Sequence, residues 1–278
     1  METDLSAKMH RSIVPFGTEL IRSQDLDPVY TILHKGGLSK DQTKRWLFAY
    51  WCFYHAGFAS NASEVWGDIY WNRLLQAARN LPGYGPDRLI NPKLPDRWPR
   101  GTERRHFRGE KCVKAIEQFQ HWRLPAEAWV GSLHEDTVTP THKTIIKRVT
   151  RWPQFGPWIG FKVADMLERC LGVPVTFSDE IALIYKEPRK ALDILVRDTA
   201  TPVEQAYDHL LKIFSNLPAP PSFDRPCSHQ EIETVLCKWK SHINGHYPMG
   251  KDSRELHEAL DGWGWTAAHL QRFVPSVQ

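Results

Sequence analysis

No stretch of the chain approaches the ~18 consecutive apolar residues that a membrane span requires. The opening run METDLSAKMHRS also lacks the apolar centre of a secretory signal. These absences predict a soluble, cytoplasmic protein without a membrane partner. Cysteine is sparse: Cys52, Cys112, Cys170, Cys227 and Cys237 are odd in number and widely spaced, which argues against a disulfide scaffold and for reduced thiols. Strand-like alternation is almost missing, and the one extended-looking stretch, VPVTFS at 173–178, is short enough to be a connector. Charge of one sign is not in excess either. Thirty-six Lys plus Arg against 32 Asp plus Glu leave +4, only a weak attraction for a polyanion. With 41% hydrophobic and 24% charged residues in 278, a disordered, collagenous or coiled-coil chain is excluded and a packed core is expected.

What the chain has in abundance is tryptophan, twelve residues of it, serving as helix-packing core or as stacking platforms for bases. Helical patterning dominates. Residues 39–80 open on Ser39 with Gln42 three positions later, a capping box ahead of at least two helices. Residues 81–109 are too rich in Pro and Gly for regular structure. They carry Arg88, Lys93, Arg97, Arg100, Arg104, Arg105 and Arg108 against three acids, so this long loop either meets an anionic partner or is a solvated insertion. Further helices fit 110–122, 140–152, 160–171, 203–217, 228–243 and 253–263. PAPPSFDRP at 218–226 is the clearest linker, yet no segment beside it can bury its own core. The expectation is therefore one all-α domain over 1–278 with two lobes around a cleft: a main body over 39–217, and a carboxy-terminal helical segment, 227–278, packing on it.

The most informative stretch is RWPQFGPWIGFKVADMLERCLGVPVTFSDEIALIY, 151–185. Pro153, Gly156, Pro157 and Gly160 predict a hairpin over 153–162, feeding a helix that stops at Gly172. Amides at such a helix start can hold a phosphate, with Lys162 and Arg151 adding positive charge. This stretch resembles the helix-hairpin-helix motif of DNA glycosylases. In that comparison Gly160 is the second hairpin glycine, Lys162 falls at the Schiff-base lysine of the bifunctional enzymes, and Asp179 or Glu180 falls at the catalytic acid. Trp158 replaces the first hairpin glycine. The alternatives are an ordinary surface turn, a solvated Lys162 beside phosphate, and Asp179 as a helix N-cap.

A second cluster lies in CKWKSHINGHYPMGKDSREL, 237–256, where His242, Asn244, His246, Tyr247, Lys251 and Asp252 surround two glycines. Such a loop can assemble donors, acceptors and a base. Its cysteine and histidine spacings match no familiar zinc pattern, so no protein metal site is expected. On the amino-terminal side, Tyr50, Tyr54 and His55 lie within reach of one another on a helix otherwise destined for the core.

Taken together, the hairpin, RRHFRG at 104–109 and KSHINGHYPMGKD at 240–252 resemble the alpha-glutamyl/putrescinyl thymine pyrophosphorylase superfamily, which includes bacteriophage amino acid:DNA transferases. The resemblance implies a helix-hairpin-helix DNA glycosylase-like fold, with two helical lobes around a DNA and base cleft. It implies an enzyme joining an amino acid or polyamine amine to 5-(pyrophosphomethyl)deoxyuridine in DNA, which is pyrophosphorylated 5-hydroxymethyluracil, with release of pyrophosphate. A phage-encoded chain would work in the host cytoplasm. Asp179, Lys162, Glu180, His242 and His246 are then the catalytic candidates. Trp158, Gly160, Lys162 and Arg151 are the DNA contacts, and Arg104, Arg105, Arg108 and Lys251 the pyrophosphate cations, with or without a divalent metal. Two rivals remain at this point: a base-excision glycosylase using Asp179, and a DNA-binding module without catalysis. No four-cysteine run near the carboxyl end supports an iron-sulfur glycosylase.

Overall fold

The computed structural model describes residues 2–79, 98–104, 106–178, 185–197 and 199–276. Among them every regular element is helical, with two isolated bridges, Thr141 with Thr176 and Pro218 with Pro226, in place of a sheet. The fold is all-α. In chain order the helices are α1 (Glu2–Arg11), α2 (Ile13–Arg22), α3 (Pro28–Lys35), α4 (Lys40–Phe53), α5 (Ala56–Ser63), α6 (Gly67–Arg79), α7 (Glu110–His121), α8 (Ala126–Gly131), α9 (His142–Val149), α10 (Pro157–Leu171), α11 (Lys186–Val196), α12 (Val203–Phe214), α13 (His229–Ile243), α14 (Lys251–Leu260) and α15 (Trp265–Gln271). A single 3-10 turn, Thr102–Arg104, precedes α7. None of the described helices is long and apolar enough to cross a membrane.

The chain forms two compact units, one of Met1–Thr31, Phe177–Glu255 and Pro275–Gln278, the other of Ile32–Thr176 and Leu256–Val274. In the second, the apolar pattern at 39–80 resolves into three helices, α4 to α6. Ser39 caps α4 by accepting from the Gln42 amide at 3.2 Å. The Gln42 side chain reaches Thr266 at 3.3 Å instead of returning to Ser39, so half of the expected capping box forms. From Trp46 to Phe53 every side chain of α4 is buried, which makes it the central helix of this unit. Aromatic edges lock its surroundings: Phe119 meets Phe48, Trp129 and Trp152 edge-on at 5.0, 5.0 and 5.6 Å. Seven of the twelve tryptophans, Trp46, Trp51, Trp71, Trp98, Trp152, Trp239 and Trp263, are core.

The expected hairpin is shorter than the sequence predicts. The turn closes by Gly156, and α10 begins at Pro157, whose fixed φ and missing N–H suit a first helical position. Gly160 therefore lies inside the helix, its N–H bonded to the Gly156 carbonyl at 3.0 Å. Its bare Cα lets α9 come close: a Cβ there would stand 3.2 Å from Ile146 Cα. The helix ends as expected at Gly172, in the left-handed region at φ 68°. The connector beyond it is pinned by main-chain bonds, Thr176 N–H to Pro140 and His142 N–H to Thr176, at 3.0 and 2.9 Å.

In the first unit, α2, α11, α12 and α13 share a core that includes Phe16, Leu20, Leu192, Leu210, Phe214 and Val235. The segment predicted as a linker is a folded loop of this unit. Its ends are tied by Ala219 N–H to Arg225 and Cys227 N–H to Leu217, both 2.8 Å, and Ala219 is buried. Proline-rich composition marks a chain without helix or strand, and here that chain is packed.

Packing in the second unit is very tight at Gly57 on α5, where a Cβ would lie 2.1 Å from the Ala259 carbonyl oxygen and 2.3 Å from the Trp263 ring. Gly57→Ala is expected to lower unfolding stability by about 2 kcal/mol or more, read from urea denaturation against a Gly156→Ala control, whose site has open space and a φ of −106°.

Candidate active site

Helix α4 ends inside the protein, so its last carbonyls need donors that water cannot supply. The segment 98–104 provides them: Gly101 N–H bonds to Phe53 at 3.0 Å and Arg104 Nε to Cys52 at 3.2 Å. Arg104 Nη1 continues to the Gln154 carbonyl at 2.9 Å, and its guanidinium lies between the Phe107 and Phe155 rings at 4.5 and 4.7 Å. Its remaining nitrogen is buried with no hydrogen-bond partner among the described residues. Arg100 donates to the carbonyls of Trp98, Pro99, Phe107 and Ala77 and covers the Phe53 ring. Burial brings Arg100 down to about 9, still charged at neutral pH, and pushes the Cys52 thiol up to about 12, which leaves it inert.

At this junction Tyr54 takes the left-handed conformation, φ 51° and ψ 40°, rare for a tyrosine. The Gly101 backbone presses so close that a Cβ would fall 2.1 Å from the Tyr54 carbonyl oxygen. Tyr54 thereby turns its ring between Tyr50, 4.6 Å away, and Trp158 in the first turn of α10, 5.9 Å away. The next residue, His55, is the N-cap of α5: its Nδ1 accepts from Phe58 N–H at 3.2 Å, and its ring packs on Trp263 at 5.2 Å. Desolvation by burial, with Arg100 nearby, lowers His55 to about 4, so the ring is neutral at physiological pH.

On α10, Trp158 is half-buried and Lys162 is only 7% exposed, its ammonium over the Phe161 ring at 5.4 Å. Lys162 is thus not a solvated surface charge. The first turn of α10 thus brings Trp158 against Tyr54 at the end of α4, with Lys162 on the same helix, while the His55 ring turns to Trp263 and Arg104 to Phe107 and Phe155. Arg151 and Arg108 are exposed in the same unit. Arg104 gives two of its nitrogens to main-chain carbonyls and buries the third, so it holds the loop in place. Arg105, Asp179 and Glu180 lie outside the described residues.

The other cluster belongs to the first unit and is organised by a residue the sequence reading missed. Asp25 is fully buried; its carboxylate accepts from Tyr247 hydroxyl (2.7 Å), Gly250 N–H (2.8 Å), Ser253 N–H (2.9 Å) and Ser253 hydroxyl (2.7 Å). It thus caps the start of α14 from more than two hundred residues away. Lys238 ties the same knot, donating to the Asp25 and Leu26 carbonyls and pairing with Asp252 at 2.6 Å. Burial and these carboxylates push the Tyr247 phenol well up, so it stays a donor. His242 stacks on Phe16 at 4.7 Å and places Nδ1 2.8 Å from the Tyr247 carbonyl. A carbonyl can only accept, so Nδ1 carries a proton, and the tautomer this selects has its lone pair on Nε2. His246 is exposed, and Lys251 donates to its carbonyl at 3.2 Å. No group of three or more His, Cys, Asp or Glu among the described residues is placed to hold a metal ion.

The profile of the family described as amino acid:DNA transferase matches residues 21–247. The chain is 38% identical to a glycinyltransferase of Pseudomonas phage PaMx11, over 96% of both chains. It is 29% identical to a putrescinyltransferase of Delftia phage PhiW-14, over 94% of this chain and 82% of that one.

Two outcomes are expected from this geometry. Asp25→Ala removes the carboxylate that four donors share and should cost about 3 kcal/mol, measured by chemical denaturation. For His55, the unfolded ring binds a proton near 6.5 and the folded ring near 4. Between those values only the unfolded chain is protonated, so stability present above pH 6.5 is lost as the pH falls toward 4, by up to about 3 kcal/mol. Asn caps helices as well, and His55→Asn should flatten that slope in thermal melts run across the window.

Proposed function

Because the chain belongs to the amino acid:DNA transferase family, we propose that it joins the amine of an amino acid or polyamine to 5-(pyrophosphomethyl)uracil in DNA. The observation that carries this reading is the likeness to a glycinyltransferase along 96% of both chains. In the reaction the amine nitrogen forms a bond to the exocyclic methylene carbon. The carbon–oxygen bond to pyrophosphate breaks, its electron pair leaving with the oxygen, and the amine proton passes to a base.

The chemistry makes three demands. An amine attacks only when unprotonated, so a base close to the incoming nitrogen is needed. Asp179 is the first choice, and His242, with its lone pair held on Nε2, is equipped for the same work. The leaving group concentrates negative charge, which Arg105, Arg108 and Lys251 answer with cations. The DNA must be gripped while one base leaves the stack, and the α10 start with Arg151, together with the Trp158 ring, supports that role. Lys162, buried in α10, lines the same helix as a positioning or reacting amine.

The test is incubation of the purified protein with pyrophosphomethylated DNA and a panel of amines, followed by mass spectrometry of digested nucleosides and a pyrophosphate assay. A nucleoside heavier by the amine residue, with matching pyrophosphate, is expected. Asp179→Asn should slow turnover by about 10²-fold or more. Absence of product with every amine, from a folded protein, defeats the reading.

A further inference from the structure

From Thr137 to Ala164 the chain carries no Asp or Glu, while Lys143, Lys147, Arg148, Arg151 and Lys162 stand in the same stretch. The fold sorts these cations. Arg148 pairs with Asp136 at 2.6 Å and donates to the Leu133 carbonyl at 2.9 Å, and Lys162 is buried in α10. Lys143, Lys147 and Arg151 recur every four residues and are all exposed. The other side of α9 faces inward: Ile145 and Val149 are buried, and Ile146 lies against Gly160 of α10. The helix therefore turns an apolar side to α10 and, outward, a row whose charges are all positive. On α7, by contrast, exposed Lys111 and Lys114 alternate with Glu110 and Glu117, and Lys114 pairs with Glu110 at 2.6 Å. Past Arg151 the α9 row meets a turn fixed at Gln154, φ 66°, whose carbonyl Arg104 holds at 2.9 Å. Gly156 and Pro157 then open α10, both exposed.

A row of one sign on a rigid element attracts a polyanion whose charges are spaced along a line. We propose that α9 is a docking surface for the phosphate backbone of duplex DNA, with Lys143, Lys147 and Arg151 following one strand toward the start of α10. The inference rests on the reading that this protein acts on DNA, and it adds where the duplex beside the reacting base lies. From Lys143 to Arg151 the chain advances about 12 Å at helical rise. Over that length one strand of a duplex presents roughly three phosphates, at about 3.4 Å each along the axis. A straight, evenly spaced row suits the regular backbone of a duplex better than a single strand, which has no fixed path. Contacts of this kind carry no sequence information; they set register and orientation, which must be in place before a base leaves the stack.

The experiment is a series of fluorescence anisotropy titrations with a short unmodified DNA duplex, from about 50 to 200 mM salt. Lys143→Ala/Lys147→Ala is expected to bind about tenfold or more weakly, and to lower the slope of log Kd against log salt by about 1.8, or 0.9 per phosphate contact. Lys143→Arg/Lys147→Arg should keep the wild-type slope. Lys111→Ala/Lys114→Ala, which removes the same net charge from α7, should stay within about twofold of wild type with its slope unchanged. All four proteins should share one helical circular dichroism spectrum. An unchanged slope in the α9 alanine variant overturns the proposal. An equal loss in the α7 variant overturns it too, since the effect would then be one of net charge. Tighter binding to a single strand or an RNA duplex than to the DNA duplex, lost with the same two lysines, overturns the choice of partner. Because the readout is binding, a reduced slope in the α9 variant with no amine transfer by the wild type would defeat the transferase reading alone. Transfer by the wild type with no change of slope in the variant would defeat this surface alone.

Discussion

Satisfying the buried carboxyl end of α4 is the constraint from which the rest of the second unit follows. A helix whose last turn is buried on every side cannot offer its carbonyls to water, and each one left bare would cost ~1–3 kcal/mol. The chain meets this by bringing in 98–104, where one main-chain amide and one guanidinium reach the carbonyls of Phe53 and Cys52. Once that segment is docked, Tyr54 has little choice of backbone, and its ring meets those of Tyr50 and Trp158. A single capping problem therefore sets where the Tyr54 ring goes.

The first unit reaches order by another route. There a buried carboxylate, fully supplied with donors, fixes the loop between α13 and α14. Buried charges are costly unless every lone pair is answered, and here a hydroxyl from Tyr247, two backbone amides and the Ser253 hydroxyl answer it. His242 is held in one tautomer by the same loop, since the carbonyl it meets belongs to Tyr247.

Much of this was legible in the sequence, and the illegible part has a physical pattern. Helix content, the stop at Gly172 and the Ser39 cap are local signals, written within a few residues of where they act, and they appear where expected. The start of α10 was misplaced by three residues because Pro157 reads equally as a turn residue and as a first helical residue. The loop-holding part of Arg104 is illegible because composition reports charge, not the carbonyls that a folded loop presents to it. Asp25 carried no local signal: its partners lie 222 to 228 positions away, and DLDP reads as a plain helix-to-helix turn. His55 was visible as a neighbour of Tyr50 and Tyr54, while its tautomer emerges only from the start of α5.

The intimacy between Gly101 and the Tyr54 carbonyl bears on how recombined variants of this protein could be built. A stretch this rich in arginine invites treatment as an exchangeable cassette, to be swapped between members of the family. It is instead a keystone: Arg100, Gly101 and Arg104 are fitted to one particular helix end. A graft that omits any of the three would import new cations while dismantling the aromatic floor beside them, so recombination points belong outside 98–109, with the end of α4 travelling as part of the same block.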